Sequence, residues 1–240
     1  MPKTYIPIKD RWRHYHEASI LSLVGGWLNT VGFIALFGIY TNHVTGYIVT
    51  AGKESILGGF GLWALFIGIF VFTIGITAWC EQKWRERHPN ILLAFLVAET
   101  ILITLFMCAG YLFSPFEKLN EYGAVITAML GISAMGIRNA IIRTILSPMT
   151  TSTLMTGNIA QLTIDVVAYL SPNTPKERKA AAQLNISKIF PSVASFSIGA
   201  VLGSIGYIFF SFSSIVIPVL LMTYLCFREW RMSFIRDQKS

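Results

Sequence analysis

The sequence predicts an all-α membrane protein: a bundle of six transmembrane helices with two extra half-helix or re-entrant segments, built as a 3+3 inverted-topology repeat. The first observation is the composition, since 54% of the 240 residues are hydrophobic and only 13% are charged, about half the charged share of a soluble domain. The second is that apolar residues form long blocks, and about 20 of them cross a bilayer core. The third is a motif repeated in the two halves of the chain.

Six apolar blocks are long enough to be transmembrane helices. Two further stretches, 42–56 and 149–170, are apolar but interrupted by polar residues, and we call them polar-studded. For each of them three placements stay open: it crosses the membrane, re-enters it or lies at its interface. Counting both stretches as spanning gives eight crossings, and counting neither gives six. The six blocks cover about 20–40, 57–80, 91–112, 122–146, 187–211 and 213–228.

The distribution of basic residues decides in favour of six crossings. With six, the N-terminus and segments 81–90, 171–188 and 228–240 share one side of the membrane, and they hold fifteen of the nineteen Lys and Arg residues. The opposite side then has only Lys53 and Lys118. Because basic loops stay in the cytoplasm, we expect both termini there. The same asymmetry accounts for the net charge of +7, so we expect the lipid bilayer, and no nucleic acid, as a partner.

The chain is expected to form one membrane domain made of two related halves, 19–112 and 122–230. Segment 1–18 is a basic cytoplasmic lead-in, and 231–240 is a cytoplasmic tail. Each half has G-x-x-N early and T-G late, in "GWLNTVGFIALFGIYTNHVTGY" and "GIRNAIIRTILSPMTTSTLMTGN". Three helices per half force opposite orientations, as in many secondary transporters with sites near the midplane. The matched positions are Gly26, Asn29, Thr45 and Gly46 in the first half and Gly136, Asn139, Thr156 and Gly157 in the second.

Two segments, "GWLNTVGFIALFGIYTNHVTG" and "SPMTTSTLMTGNIAQL", closely resemble the YoaK-type family of small bacterial inner-membrane proteins, an uncharacterised domain-of-unknown-function family. The resemblance extends from about Ser19 to Trp230. It implies a multi-pass protein of the bacterial inner membrane and little about activity. Relatives usually have an acidic residue where this chain has Asn29, and an asparagine where it has Tyr47. If that acid binds protons in relatives, this chain cannot use it.

Glu99 lies near the middle of the third predicted helix, where a charge is expensive and indicates a function. At 1.5 Å per residue, Glu99 is about 13 Å from the inner end of its helix, and Arg138 is about 12 Å from the inner end of the next one. The matching depths predict an ion pair between Glu99 and Arg138. The pair either holds two helices together structurally or is a switchable proton or ion site.

A second polar face follows in the polar-studded stretch of the second half. Asn158, Gln161 and Asp165 are spaced i, i+3 and i+7, so they share one face of a helix. Such a face lines a cavity or lies at the inner interface, and both alternatives stay open. Ser147 and Pro148 predict a helix break just before it, because proline disrupts the preceding turn.

The motif residues supply a candidate substrate site between the halves. Their amide, hydroxyl and imidazole groups offer hydrogen bonds at membrane depth, and His43 can titrate near neutral pH. Helix-to-helix hydrogen bonding without any ligand is the alternative. The candidate substrate-binding residues are Asn29, His43, Thr45, Gly46, Asn139, Thr156, Gly157 and Asn158, and the candidates for ion coupling or a buried ion pair are Glu99, Arg138 and Asp165.

Enzyme motifs are absent from the sequence: it has no P-loop, no H-E-x-x-H and no G-x-S-x-G. The three cysteines lack the spacing of a metal site, so we expect no metal, no cofactor and no enzyme. We expect a small secondary transporter or permease-like protein for a small molecule or ion. A homodimer is one way for six helices to enclose a pathway. The alternative function is a non-transporting scaffold, sensor or partner subunit.

Overall fold

The computed structural model describes residues 8–85, 90–146 and 155–237. Within these ranges the chain is helical and has no strands. The elements are α1 (Ile8–Ala35), α2 (Val44–Leu57), α3 (Phe60–Trp84), α4 (Ile91–Phe113), α5 (Tyr122–Thr144), α6 (Met155–Leu170), α7 (Lys176–Phe210), a 3-10 turn (Ser211–Ile215) and α8 (Val216–Asp237).

Helices α1, α3, α4, α5, α7 and α8 each overlap one of the six apolar blocks, although α1 ends at Ala35, before the predicted end of its block. Helix α2 overlaps the first polar-studded stretch, and α6 forms the described part of the second. Five ranges of the described chain are long and apolar enough to cross a membrane, in agreement with a helical membrane protein. The last range contains both α7 and α8. Helices α2 and α6 have 14 and 16 residues, about 21 and 24 Å, which is shorter than a bilayer core of about 30 Å. The five ranges are His16–Ala35, Phe60–Trp84, Ile91–Phe113, Tyr122–Thr144 and Lys176–Phe234.

The centre of the bundle is formed by α1 and α5, the first helices of the two halves. In the most apolar 18-residue stretch of each helix, 67% of the residues of α1 and 72% of those of α5 are buried, against 22% in both α3 and α4. Helix α1 packs mainly on α7, and α5 packs on α3 and α4. Since α3 and α4 turn large apolar side chains outward, these helices have the exposed surface of a lipid-facing segment.

Glycine lets the central helices approach their neighbours closely. A Cβ atom at Gly199 or Gly203 of α7 would collide with the α1 backbone at Leu23 or Trp27, so the G-x-x-x-G spacing here serves helix packing. Gly58 has a different role, because its φ of 93° ends α2 in the left-handed conformation.

The chain turns back into the bundle after α1. Positive φ angles at Phe37 (55°) and Gly38 (88°) reverse its direction, and Thr41 then lies fully buried. The Thr41 methyl group is next to Gly32 of α1 and Gly131 of α5, where any Cβ would come within 3.0 Å of it. The excursion therefore begins six residues earlier than the predicted 42–56, because residues 36–43 turn back into the helix bundle before α2 starts. We call residues 36–43 the re-entrant segment.

Candidate functional site

Four polar residues meet where the re-entrant segment ends between α1 and α5. The Asn139 Nδ2 group donates to Asn42 Oδ1 at 2.7 Å and to the Met135 carbonyl at 2.8 Å. The Asn42 backbone N–H donates to Asn29 Oδ1 at 3.2 Å. His43 Nδ1 lies 3.4 Å from the same Asn29 oxygen and donates to it in the Nδ1–H tautomer. We call Asn29, Asn42, His43 and Asn139 the asparagine cluster.

The asparagine cluster is buried and still has unused hydrogen-bonding capacity. Asn42 is 5% exposed and Thr41 is fully buried. Asn42 Nδ2 and Thr41 Oγ1 have no hydrogen-bond partner among the described residues. A buried amide or hydroxyl without a partner costs about 1–3 kcal/mol, so these two groups are suited to receive a polar ligand or water.

The depth of the cluster follows from its contact with α5. The Met135 carbonyl, which shares the Asn139 amide, belongs to the fourteenth residue of a 23-residue helix. The cluster therefore lies slightly past the middle of α5, between the two most buried helices of the bundle. Asn29 and Asn139, the matched asparagines of the two sequence motifs, are both brought to this point by Asn42.

His43 forms the partly exposed edge of the cluster, outside the five apolar ranges. Its ring packs edge-on against Tyr40, with centroids 5.5 Å apart. Burial lowers the pKa of His43 below its ordinary value of 6.5, because desolvation disfavours the charged imidazolium. The ring is therefore neutral at pH 7, and the asparagine cluster has no net charge.

Thr45 and Gly46 lie just after His43 in the chain, and the Gly46 N–H donates to the His43 carbonyl at 3.0 Å. Together with Tyr40 and Trp63 they line an open, mainly apolar groove of about 430 Å³. The groove floor includes Tyr47, which is 1% exposed and donates a hydrogen bond to the Tyr40 carbonyl. Thr45 and Gly46 thus line a surface groove beside α2, and their role in substrate binding stays a prediction.

The second T-G motif does not reach the asparagine cluster. Thr156 and Gly157 are exposed on α6, and a Cβ at Gly157 would meet nothing within 4 Å. Among the described elements α6 packs only on α7, so Thr156, Gly157 and Asn158 do not meet residues 43–46 there. In the described part of the chain the polar cluster is formed by α1, the re-entrant segment and α5, and the second T-G motif lies apart from it on α6. The predicted break at Ser147–Pro148 lies outside the described residues.

The predicted contact between Glu99 and Arg138 is present. Arg138 Nε and Nη2 both lie 2.5 Å from Glu99 Oε1, and both side chains are fully buried. Arg138 Nη1 also donates to the Leu21 carbonyl at 2.8 Å, and Nη2 contacts Met222 Sδ at 3.3 Å. Arg138 thus joins α1, α4, α5 and α8. Such a pair needs these additional bonds, because burying two charges is expensive even when they are paired.

Asp165 lies apart from that pair and has its own partners. It is fully buried between α6 and α7. Gln161 Nε2 donates to Asp165 Oδ2 at 2.9 Å, and Arg178 of α7 lies 3.8 Å from Oδ1. The polar face predicted from Asn158, Gln161 and Asp165 therefore turns toward α7 at Asp165.

The sequence analysis did not identify the residues that complete the surroundings of the asparagine cluster and of the Glu99–Arg138 pair. Thr41 and Asn42 precede His43 directly, and their polarity behind an apolar run was the available signal. Met222 is an ordinary apolar residue of α8, so no signal in the sequence marked it as a partner of Arg138. Among the side chains described, no group of three His, Cys, Asp or Glu residues could hold a metal ion.

A family model described as a protein of unknown function (DUF1275) matches residues 18–227 of the chain. The matched region includes α2 to α7 completely, together with the asparagine cluster and the Glu99–Arg138 pair. No curated protein and no solved structure matches the chain.

Proposed function

The chain belongs to the DUF1275 family of unknown function, and we propose that it is a small secondary transporter or permease-like protein for a small molecule or ion. The observation that carries this proposal is the asparagine cluster. Matched asparagines from the two halves meet a re-entrant segment near the middle of α5, and secondary transporters bind substrates where broken segments of two repeats meet near the midplane. We take the YoaK-type resemblance as a likeness within this family.

The packing of the helices supports an inverted repeat. Pairing α1 to α4 with α5 to α8 in order, each main contact has a counterpart: α1 packs on α7 as α5 packs on α3, and α2 packs on α3 as α6 packs on α7. The contact of α4 with α5 likewise corresponds to that of α8 with α1. The coincidence of these pairs supports a two-fold relation between the halves, which a chance match of two short motifs would not produce.

The matched glycines add residue-level support. A Cβ at Gly26 of α1 would collide with the Phe196 carbonyl of α7, and a Cβ at Gly136 of α5 would press on Thr73 of α3. Equivalent glycines therefore make close contacts with equivalent helices.

Six crossings follow if α7 and α8 span separately. Ser211, with a φ of 52°, begins the turn that separates them, and α8 packs back on α4 and α1. Helix α7 has 35 residues, about 52 Å, which exceeds the bilayer core by about 20 Å. Its basic first turns and α6 then lie on the cytoplasmic side of the inner membrane, with both termini.

The chemistry of binding follows from the unused groups. Asn42 Nδ2 and the Thr41 hydroxyl can donate hydrogen bonds to a solute that carries a polar acceptor. A solute bound there contacts the re-entrant segment, which Asn42 links by hydrogen bonds to both α1 and α5. Glu99 and Arg138 couple ion binding to helix movement in this scheme, because they join four helices.

The test begins with a thermal-shift screen of purified protein against metabolite pools, because a ligand that binds the folded state raises its stability. A ligand found in this way is then tested for uptake into liposomes. We expect Asn42→Ala to lose both the thermal shift and the uptake, while Asn120→Ala, an exposed asparagine of the α4–α5 loop, keeps both. Wild-type uptake by the Asn42→Ala protein contradicts the proposed site.

A non-transporting scaffold, sensor or partner subunit is the second candidate, and one observation favours it. The second T-G motif is exposed on α6 and does not approach the asparagine cluster in the part of the chain described. Without that motif the asparagines serve only to hold α1, α5 and the re-entrant segment together. Protein that folds normally, shows no thermal shift with any pool and transports nothing supports this candidate.

A further inference from the structure

A small cavity lies between α1, α4 and α8, at the end of the bundle where α4 begins. Its volume is about 20 Å³, and its walls are leucines, with Glu17 and Glu229 as the polar lining residues. One water molecule needs roughly 10–15 Å³ of such space. We call it the leucine cavity, and it is large enough for a single water.

Three of the leucines that line the cavity connect it to the surroundings of the Glu99–Arg138 pair. Leu96 of its wall lies three residues before Glu99, almost one turn along α4. Leu21 lies in the wall and its carbonyl accepts a hydrogen bond from Arg138 Nη1. Leu225 lies three residues after Met222, which contacts Arg138 Nη2. Leu21 is thus bonded directly to Arg138, whereas Leu96 and Leu225 lie almost one helical turn from Glu99 and from Met222.

The Glu99 carboxylate has one oxygen that no side chain uses. Oε1 receives both Arg138 contacts, whereas Oε2 is buried and has no hydrogen-bond partner among the described residues. An unpaired carboxylate oxygen at membrane depth is expensive. A proton on Oε2 would supply a donor and remove the charge.

We propose that Glu99 is a proton-binding site that exchanges protons through the leucine cavity with the aqueous phase at the end of the bundle where α4 begins. A water in the cavity takes up a proton from a hydronium ion of the aqueous phase and passes one to Oε2, so one O–H bond of the hydronium ion breaks, one O–H bond forms on the carboxyl group and the water is regenerated. Arg138 keeps its bond to the Leu21 carbonyl and its Met222 contact in the protonated state.

A proton suits this site better than a metal cation. Hard cations take about six oxygen ligands, while the walls of the leucine cavity are apolar between Glu99 and the two glutamates. The Arg138 guanidinium also lies against Glu99 and repels a second fixed cation.

The charged and titratable groups around the path come from all four helices. Arg138 of α5 lies against Glu99, while Glu17 of α1 and Glu229 of α8 line the cavity. Glu17 is paired with Arg228 at 3.1 Å. Cys226 of α8 contacts Thr100, the neighbour of Glu99, at 3.5 Å.

Proton binding would weaken the ion pair that joins α4 to α5, because it removes the negative charge of Glu99 that attracts Arg138. If the protein is a transporter, which is the proposed function on which this last step rests, the proton is the coupling ion. Proton binding itself needs no transport and is measured separately.

Infrared difference spectra of the protein in lipid, recorded between acidic and alkaline buffer, test the site. We expect a band from a desolvated protonated carboxyl group, lost in Glu99→Gln and kept in Glu117→Gln, an exposed glutamate of the α4–α5 loop. The same band in Glu99→Gln, or no such band in the wild type, overturns the proposal.

The route is tested with the ion pair intact. Leu96→Phe fills the leucine cavity, and Leu105→Phe makes the same change at an exposed position of the same helix. After transfer to heavy water, we expect the Glu99 band to stay unshifted in Leu96→Phe over the time in which the wild type and Leu105→Phe exchange completely. Wild-type exchange in Leu96→Phe shows that protons take another path and overturns the route.

These outcomes separate the two proposals. A Glu99 band in a protein that transports nothing keeps the proton site and removes the proposed function. Uptake by a protein whose spectra have no Glu99 band keeps the proposed function and removes the proton site.

Discussion

The excursion after α1 and the excursion after α5 start from the same motif and pack differently. The first returns between α1 and α5, and the inward face of α2 then buries Tyr47 and Ala51. The inward face of α6 buries Met155 and Asp165. The Tyr47 ring is stabilised by packing on the aromatic side chains of α3. The buried Asp165 carboxylate needs polar partners instead, and Gln161 of α6 and Arg178 of α7 provide them.

This difference gives the two excursions different surroundings. The re-entrant segment places polar atoms between the central helices, while the α6–α7 pair keeps its carboxylate away from them. The four predictions that follow compare the centre, the first excursion and the second excursion, from the largest effect to the smallest.

Arg138→Met should cause the largest loss of stability, because Arg138 lies between both halves and its removal leaves the Glu99 charge buried without a partner. Breaking a buried pair costs about 3–5 kcal/mol. Thermal and denaturant unfolding in detergent measure the loss. The double variant Glu99→Leu with Arg138→Met should recover most of it, and a single variant as stable as the wild type contradicts the structural role of the pair.

Asn42→Ala should cost about 1–2 kcal/mol, since one side-chain hydrogen bond to Asn139 is lost while one unpaired donor is also removed. The exposed Asn120→Ala is the matched control and should unfold like the wild type. Equal stability of the two variants would indicate that the first excursion is not held by its asparagines.

Arg178→Ala should cost less than about 1 kcal/mol, because Arg178 is half-exposed, lies 3.8 Å from Asp165 and leaves the Gln161 bond in place. In the same unfolding experiment, we expect Arg178→Ala to lose less unfolding free energy than Asn42→Ala. A loss as large as that of Arg138→Met would mean that the second excursion depends on its ion pair as strongly as the centre does.

His43→Gln should reduce the pH dependence of stability by a small amount. Burial holds the pKa of folded His43 below its ordinary 6.5, so the unfolded chain binds the proton more readily. The wild type therefore loses stability as the pH falls from about 6.5 through the folded pKa. We expect the stability difference between the two proteins to change over this window. A constant difference between pH 7 and pH 5 shows that His43 does not titrate differently on unfolding.

Much of the fold is predictable because its causes are local. Length and hydropathy place the six long helices, and the charge on the short connections separates them from α2 and α6. The Glu99–Arg138 contact is predictable for the same reason: two neighbouring helices joined by a short loop run antiparallel, so a fixed rise per residue sets both depths.

The candidate site is less predictable because it depends on where the chain goes after a helix ends. Positive φ angles at Phe37 and Gly38 turn Asn42 inward, where it finds Asn29 and Asn139. The polarity of Asn42 behind an apolar run was the available signal in the sequence, and it did not show that Asn42 connects the other two asparagines.

Composition and helical geometry alone were enough to predict that this protein is helical and apolar and that Glu99 and Arg138 lie at matching depths. Only the tertiary structure decided that one excursion enters the centre while the other stays on α7. Each short helix has a polar and an apolar face, and packing in three dimensions selects which neighbour covers which face.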